Sequence, residues 1–484
     1  MAPKKQSTAL IIVIICLLVI LAGLVGTLLF LRFGGGWFSA GTEPTTEPTT
    51  STTEPTTKPT DPTTKPTQPT TQPTEPTTEP TEPPVIKVGT ATIANVGDFL
   101  MHLPVINSAD ISDGNYDFAN ALSYIAEYIQ SADYAVGNLE TNLAGSDYKF
   151  WYNNQWHVGY YGYPVFNCPD GIVSSVQAAG FDMLLTANNH SYDTRDVGFY
   201  RTQQILQALE MDYLGTSTST EQPRWQIRQI NGIQIGMLCY TYETDDNPDK
   251  VALNGIPMSS TDAALVCTFS YGQLDLFYEE MEQNISEMTQ AGAEAIVLYI
   301  HWGDEYQLKQ NSTQSTIAQK MCDLGVDVIV GGHPHVVQPM ELLTSSTDES
   351  HKTVCLYSTG NILSNQRREY MTLNTGHTED GVVFHFTFAK YSDGTVILES
   401  AGILPTWVDL HYNAETGKNV YSILPLDTQL ADWMTQFGLN ESRYNHACAS
   451  YSRTMDIVGS GLEQVQSYLA QLVAETEEAL GVTP

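Results

Sequence analysis

The stretch "DVIVGGHPHV", residues 327–336, decides how this chain is read. Val328, Ile329 and Val330, with Val326 just before them, form a short apolar run that reads as a buried strand. Gly331 and Gly332 end the run, and His333 and His335 follow, one residue apart. Such imidazoles either hold a metal ion or serve as ordinary turn residues. These ten residues alone leave both readings open.

The same pattern recurs along the chain. "ATIANVGD" ends in Asp98, with His102 four residues later, and "YAVGNLE" ends in Asn138 and Glu140. "DMLLTANNH" ends in Asn188, Asn189 and His190. "EAIVLYIHWGDE" carries His301, with Asp304 and Glu305 beyond it, and "TVCLYSTGN" ends in Ser358 and Asn361. Between these runs the apolar spacing suits helices over 118–129, 171–179, 202–209, 274–289 and 316–324. Strand-like runs alternating with helical stretches predict a layered α/β domain. In open α/β sheets, ligands bind beyond the carboxyl ends of the strands, which is where these polar residues fall.

Taken singly, each has an ordinary explanation. Asn138 and Asn189 suit turns or helix caps, Asp98 suits a cap, and a lone His301 suits a structural histidine. Their joint occurrence points to a cluster of oxygen and nitrogen donors without cysteine. Such a set fits a first-row divalent ion, Mn²⁺, Fe²⁺ or Zn²⁺. The donors exceed what one tetrahedral zinc takes and suffice for two cations about 3.5 to 4 Å apart with a shared carboxylate, a pair that activates water. One unliganded histidine nearby would then protonate a leaving group.

The rest of the chain places this domain. Residues 10–31 are almost wholly apolar, long enough at about 1.5 Å per residue to cross a roughly 30 Å hydrocarbon layer. Lys4 and Lys5 precede them, which keeps residues 1–9 in the cytoplasm and the main domain outside the cell. A cleaved signal peptide is the alternative, but the run is longer than such a core and Phe38 stands where a small residue is wanted. Residues 41–84 are a Pro/Thr-rich tract, expected to be a disordered stalk. At about 3.1 Å per residue it would reach on the order of 100 Å. The net charge is −34, of which −32 falls on residues 85–484. So acidic a surface repels nucleic acid, and it repels a polyanion unless cations intervene. The cysteine spacing shows no disulfide framework.

The motifs "GDFLMH", "GNLET", "FDMLLTANNHSYD", "YIHWGDEY", "GGHPHVVQPME" and "YSTGNILSNQ" stand in an order that resembles the CapA family of poly-γ-glutamate capsule synthesis. That family is in turn similar to the calcineurin-like metallophosphoesterases. The resemblance spans roughly residues 90–405 and implies a metallophosphatase-like α/β/β/α sandwich over 88–408, with 409–484 as a C-terminal extension. It implies that Asp98 and His335 hold one cation, that Asn189, His301 and His333 hold a second, and that Glu140 bridges them. His190 would be the catalytic proton donor. His102, Asn138, Glu305 and Asn361 are possible additional members. Two departures stand out. In the first motif His102 lies four residues after Asp98 rather than at the family's Asp-x-His spacing, and Asn138 occupies the place of a usual bridging aspartate.

Residues 149–166, "KFWYNNQWHVGYYGYPVF", are expected to form a hairpin packed on its own rings, with a ligand-stacking wall as the alternative. "YSDG", 391–394, reads as a hairpin turn. Leu462, Val465, Leu469, Leu472 and Val473 share one helical face, expected to pack on the domain. Three functions remain in view. One is a membrane-anchored, extracellular, metal-dependent hydrolase or transferase of poly-γ-glutamate capsule biosynthesis or envelope attachment. Another is an extracellular metallophosphoesterase. The third is a non-catalytic capsule-assembly protein that binds polymer or the membrane subunits of a capsule synthase.

Overall fold

Val328 and Val330 point one way and Ile329 the other, and that alternation builds the molecule. In a computed structural model, which describes residues 84–482 apart from 246, 248 and 249, two sheets lie face to face. The first contains β1 (Lys87–Phe99), β2 (Tyr134–Asn138), β3 (Met183–Leu185) and β4 (Asp212–Leu214). The second contains β5 (Trp225–Ile230), β6 (Ile233–Tyr242), β7 (Thr268–Phe269), β8 (Ala295–His301), β9 (Val328–Gly332), β10 (Met340–Thr344) and β11 (Lys352–Leu356). The chain then returns to the first sheet as β12 (Asn361–Leu363), β13 (Asp380–Tyr391), β14 (Val396–Asn413) and β15 (Lys418–Pro425).

The first sheet runs β15-β14-β13-β1-β2-β3-β4, with β12 also beside β1, and the second runs β7-β6-β8-β9-β11-β10, with β5 also beside β6. β1, β2, β3, β4 and β12 pair in parallel, as do β6, β8, β9 and β11. Ala91 and Ile93 of β1 meet Ile235, Met237, Val297, Tyr299, Val328 and Val330 in the core between the sheets. Ala94 and Val96 face outward, onto α1 (Gly171–Ala179) and the short helices around 119–130. Leu298, Ile300 and Ile329 face the other way, onto α3 (Leu274–Gln290) and α4 (Ser312–Asp323). α2 (Arg195–Ala208) precedes β4. Burial on both faces explains why these strands read as continuous apolar runs.

The helix expected over 118–129 is two short pieces, Ala119–Leu122 and Ala126–Gln130. α2 begins at Arg195, earlier than its apolar spacing suggests, because its buried face includes Gly198, Thr202 and Gln203. Thr202 Oγ1 is buried by accepting a hydrogen bond from the Leu143 backbone N–H at 2.9 Å. α4 begins at Ser312, where Asn311 and Gln314 form a reciprocal capping box.

β13 and β14 are joined at 391–395, where Gly394 N–H donates to Tyr391 O at 3.0 Å. β14 runs without a break through residue 408, and β15 pairs with it. α5 (Glu441–Leu480) buries Leu462, Val465 and Leu469 in the same core as Phe384, Phe386 and Ala401. The described residues fall into one unit. Cys168, Cys239, Cys267, Cys322, Cys355 and Cys448 are free thiols. The expected cytoplasmic segment, the apolar span and all but the last residue of the Pro/Thr tract lie outside the described residues. Among the described residues, no helix is long and apolar enough to cross a membrane.

Candidate metal centre

The parallel strands of both sheets bring their carboxyl ends to one place. Asp98 of β1 sits in register with Asn138 of β2 on one side and Asn361 of β12 on the other. In the second sheet, His301 of β8 pairs with Gly332 of β9, directly ahead of His333 and His335. Glu140 follows β2 by two residues, and Asn188, Asn189 and His190 follow β3.

Close backbone packing makes this convergence possible. A Cβ on Gly331 would come within 2.0 Å of Tyr357 O, so only glycine lets β9 lie this near β11. A Cβ on Gly332 would stand 3.3 Å from Asp98 Oδ1 and 3.4 Å from His301 Nδ1, inside the cradle itself. His333 and His335 have φ of 95° and 55°, a left-handed backbone that non-glycine residues rarely adopt. Each such residue costs on the order of 1–3 kcal/mol, and such strain concentrates at functional sites.

Asp98, Glu140, Asn189, His190, His301, His333, His335 and Asn361 are all buried. Two donor groups form, Glu140 with His301 and His333, and Asp98 with Glu140 and His335; within each, the ligand atoms lie within 4.8 Å of one another. Glu140 belongs to both. Its Oε1 is 3.4 Å from His301 Nε2, 3.8 Å from His335 Nε2 and 3.9 Å from His190 Nε2. Neither Glu140 oxygen nor His333 Nδ1 has a hydrogen-bond partner, although all three atoms are buried. A buried carboxylate left this way is costly unless a cation satisfies it, so the donors fit a bound divalent ion.

The electrostatics of His301 and His333 suit metal ligands. Burial, with Asp98 beside it, pushes the Glu140 carboxyl well above the usual carboxylate range. Burial holds His301 down at about 3 and His333 well below its ordinary value, so both rings are neutral and have a lone pair to give. Burial would lower His335 too, but Glu140 and Asp98 outweigh it and hold that ring at about 9. Asp98 is lowered: burial would raise it, and the His335 hydrogen bond and charge more than compensate.

The remaining candidates sit around these donors. His335 Nδ1 is 3.1 Å from both Asp98 Oδ2 and Asn361 Oδ1, while Asn361 Nδ2–H donates to His335 O at 3.3 Å and to Thr378 O at 3.0 Å. Asn189 Oδ1 lies 2.8 Å from His301 Nε2. Asn138 Nδ2–H donates to Asp98 Oδ1 at 2.7 Å, and its Oδ1 accepts from Asn188 at 3.1 Å. Its amide is thus spent on the scaffold, where it steers Asp98. His102 is half-buried and belongs to neither donor group. Its Nδ1 lies 3.1 Å from Leu100 O, its ring stacks edge-on against Phe166, and burial lowers its pKa to about 4. Glu305 is exposed, in the loop that follows β8.

Two participants were not singled out from sequence. Asp193 Oδ2 lies 2.8 Å from His190 Nδ1, which leaves His190 Nε2 aimed toward Glu140. The i, i+3 spacing in "HSYD" carried that signal. The Tyr242 hydroxyl, at the end of β6, lies 3.2 Å from His333 Nε2. Nothing in the local sequence distinguishes that tyrosine from a core residue.

A family model described as "Bacterial capsule synthesis protein PGA_cap" matches residues 92–366, more than half of the chain. The capsule biosynthesis protein CapA of Bacillus anthracis is 25% identical over 283 residues, which is 57% of this chain and 60% of that protein. The PGA biosynthesis protein CapA of Bacillus subtilis strain 168 is 26% identical over 245 residues, 50% of this chain and 56% of that protein. The match thus spans less than two thirds of either relative. Every residue of the cluster lies inside the matched region.

Proposed function

The chain belongs to the PGA_cap family of bacterial capsule synthesis proteins, and on that premise we propose that it is a membrane-anchored, extracellular, divalent-cation-dependent hydrolase or transferase acting on poly-γ-glutamate during capsule synthesis or attachment. Two packed sheets flanked by helices, with oxygen and nitrogen donors at the strand ends, support the likeness to the metallophosphoesterases. Asp98 and His335 would hold one cation, and His301, His333 and Asn189 the other. A cation there supplies Lewis-acid polarisation of a carbonyl or phosphoryl oxygen.

The protein's own groups do the rest. Asp193 orients His190, so that Nε2 can pass a proton to a leaving group at the edge of the cluster. Asn138 and Asn361 fix Asp98 and His335 in place, the supporting role that polar neighbours play around metal ligands. Burial of the whole set strengthens every charge interaction within it.

The single observation that carries this reading is Glu140: fully buried, unpartnered at both oxygens, and common to both donor groups. Elemental analysis of the full-length chain tests it. One or two equivalents of Mn, Fe or Zn are expected in the wild type, and Glu140→Ala is expected to lose most of them. Metal content unchanged by that substitution sinks the proposal. The same donors serve phosphoryl transfer equally well, so a metallophosphoesterase is the second reading. Cation-dependent hydrolysis of an aryl phosphate, without action on poly-γ-glutamate, would favour it.

A further inference from the structure

Between Asp147 and Asp170 the chain has no acidic residue, although it has 55 in all. That segment contains an antiparallel hairpin, Lys149–Tyr152 paired with Gln155–Val158. The pairing sets Phe150 opposite His157 on one face and Trp151 opposite Trp156 on the other. The first face packs inward: Phe150 is buried, its ring stacked on His157 at 5.1 Å and edge-on to Tyr161 at 5.0 Å. The second face, Lys149, Trp151, Trp156 and Val158, is open to solvent. Trp151 is 57% exposed and Trp156 67%, with their rings 5.5 Å apart. The hairpin expected from sequence therefore packs on its own rings through one face only.

Two large rings held in water need a reason, since tryptophan is costly to leave exposed and a strong anchor when covered. The surroundings supply one. Buried Asn167 ties down the base of the hairpin by donating to Gly145 O at 3.0 Å and Gly159 O at 2.8 Å. Phe166, next to it, stacks edge-on against His190 at 4.7 Å, and Tyr163, 67% exposed, is 6.5 Å from Phe166. The acid-free segment thus runs from an open aromatic face to the proton-donor side of the metal centre.

We infer that the Lys149/Trp151/Trp156/Val158 face is a docking strip for the poly-γ-glutamate chain, guiding it toward His190. The inference rests on the substrate proposed above. The polymer's chemistry matches the strip: its backbone methylenes and amides suit aromatic faces, and its free carboxylates suit Lys149. Elsewhere the acidic surface repels such a chain. Within the segment itself, residues 148–169, no side chain carries a negative charge.

The test is fluorescence anisotropy of a labelled poly-γ-glutamate fragment with the full-length chain and added Mn²⁺. Trp151→Ala/Trp156→Ala is expected to weaken binding about tenfold, while Trp151→Phe/Trp156→Phe stays within about threefold. Metal content and thermal midpoint should match the wild type in both, because these rings touch neither core nor metal centre. Wild-type affinity in the double-alanine variant overturns the docking strip and leaves the substrate reading standing. No polymer binding by the wild type overturns that reading, and the strip with it. Loss of binding to an N-acetylglucosamine oligosaccharide with polymer binding intact would reassign the strip to a glycan, which also overturns the inference.

Discussion

At Gly331 and Gly332, two adjacent residues do different work. Gly331 lets two strands approach, and Gly332 leaves room for Asp98 and His301. Gly331→Ala should destabilise the fold by about 3 kcal/mol, because the added carbon meets a backbone carbonyl that cannot turn aside. Gly332→Ala should fold, since a few tenths of an ångström relieve its contacts, but should weaken cation affinity roughly tenfold by displacing Asp98 or His301. Calorimetric titration of Mn²⁺ into both proteins separates the cases, and wild-type affinity in Gly332→Ala would contradict the cradle. The glycines and histidines were legible because they interrupt an apolar run. The job of Asn138 was not. Asn138 stands where a bridging aspartate is usual, with the bridge itself assigned to Glu140, and only the pairing of β1 with β2 shows its amide turned onto Asp98.

At the scale of elements, the strands were legible because parallel sheets bury both faces, so each strand stands out as an unbroken apolar run. The helices were less so. α2 hides part of its buried face behind polar Thr202 and Gln203, and the 118–129 segment breaks in two. Least legible was the knot joining β13, β14 and the loop before them, since it rests on charges far apart in sequence. Glu379, just ahead of β13, accepts from Arg368 Nη2 at 2.6 Å and from Trp407 Nε1 of β14 at 3.1 Å, with Arg367 close by. Burial would raise its pKa, but these partners outweigh burial and lower it from 4.5 to about 2. A carboxyl lowered on folding stabilises the protein above its unfolded value, and that contribution fades as pH falls from about 4.5 toward about 2. It amounts to on the order of 3 kcal/mol. Buried Asp380, raised to about 6 by burial against the pull of Arg453, works in the opposite sense between about pH 6 and 4. Urea midpoints between pH 5 and 2.5 should therefore fall more steeply for the wild type than for Glu379→Gln. Parallel curves would remove Glu379 from the account.

For the whole molecule, the governing quantity is charge. Residues 85–484 have a net charge of −32, and the proposed substrate is itself a polyanion. Binding of such a substrate would have to overcome a long-range repulsion that acts over about 10 Å at 0.1 M salt, and the proposed cations and docking strip would act only at contact. Composition alone made the repulsion legible. It could not show the proposed docking strip, because that depends on which face of the 149–158 hairpin turns outward. Salt separates the two contributions. Added monovalent salt screens exposed charges more than buried ones, so raising NaCl from about 50 to about 200 mM should tighten poly-γ-glutamate binding about two- to threefold. A nucleic-acid-binding protein shows the opposite slope, since there salt competes with the attraction. With excess chelator binding should be weaker at every salt concentration, because the cation-held contact is then gone while the surface repulsion remains. Anisotropy titrations across the salt series, with and without chelator, measure both effects. Affinity that falls steeply with salt would mean that surface attraction dominates, and the cation-centred picture of substrate capture would then be wrong.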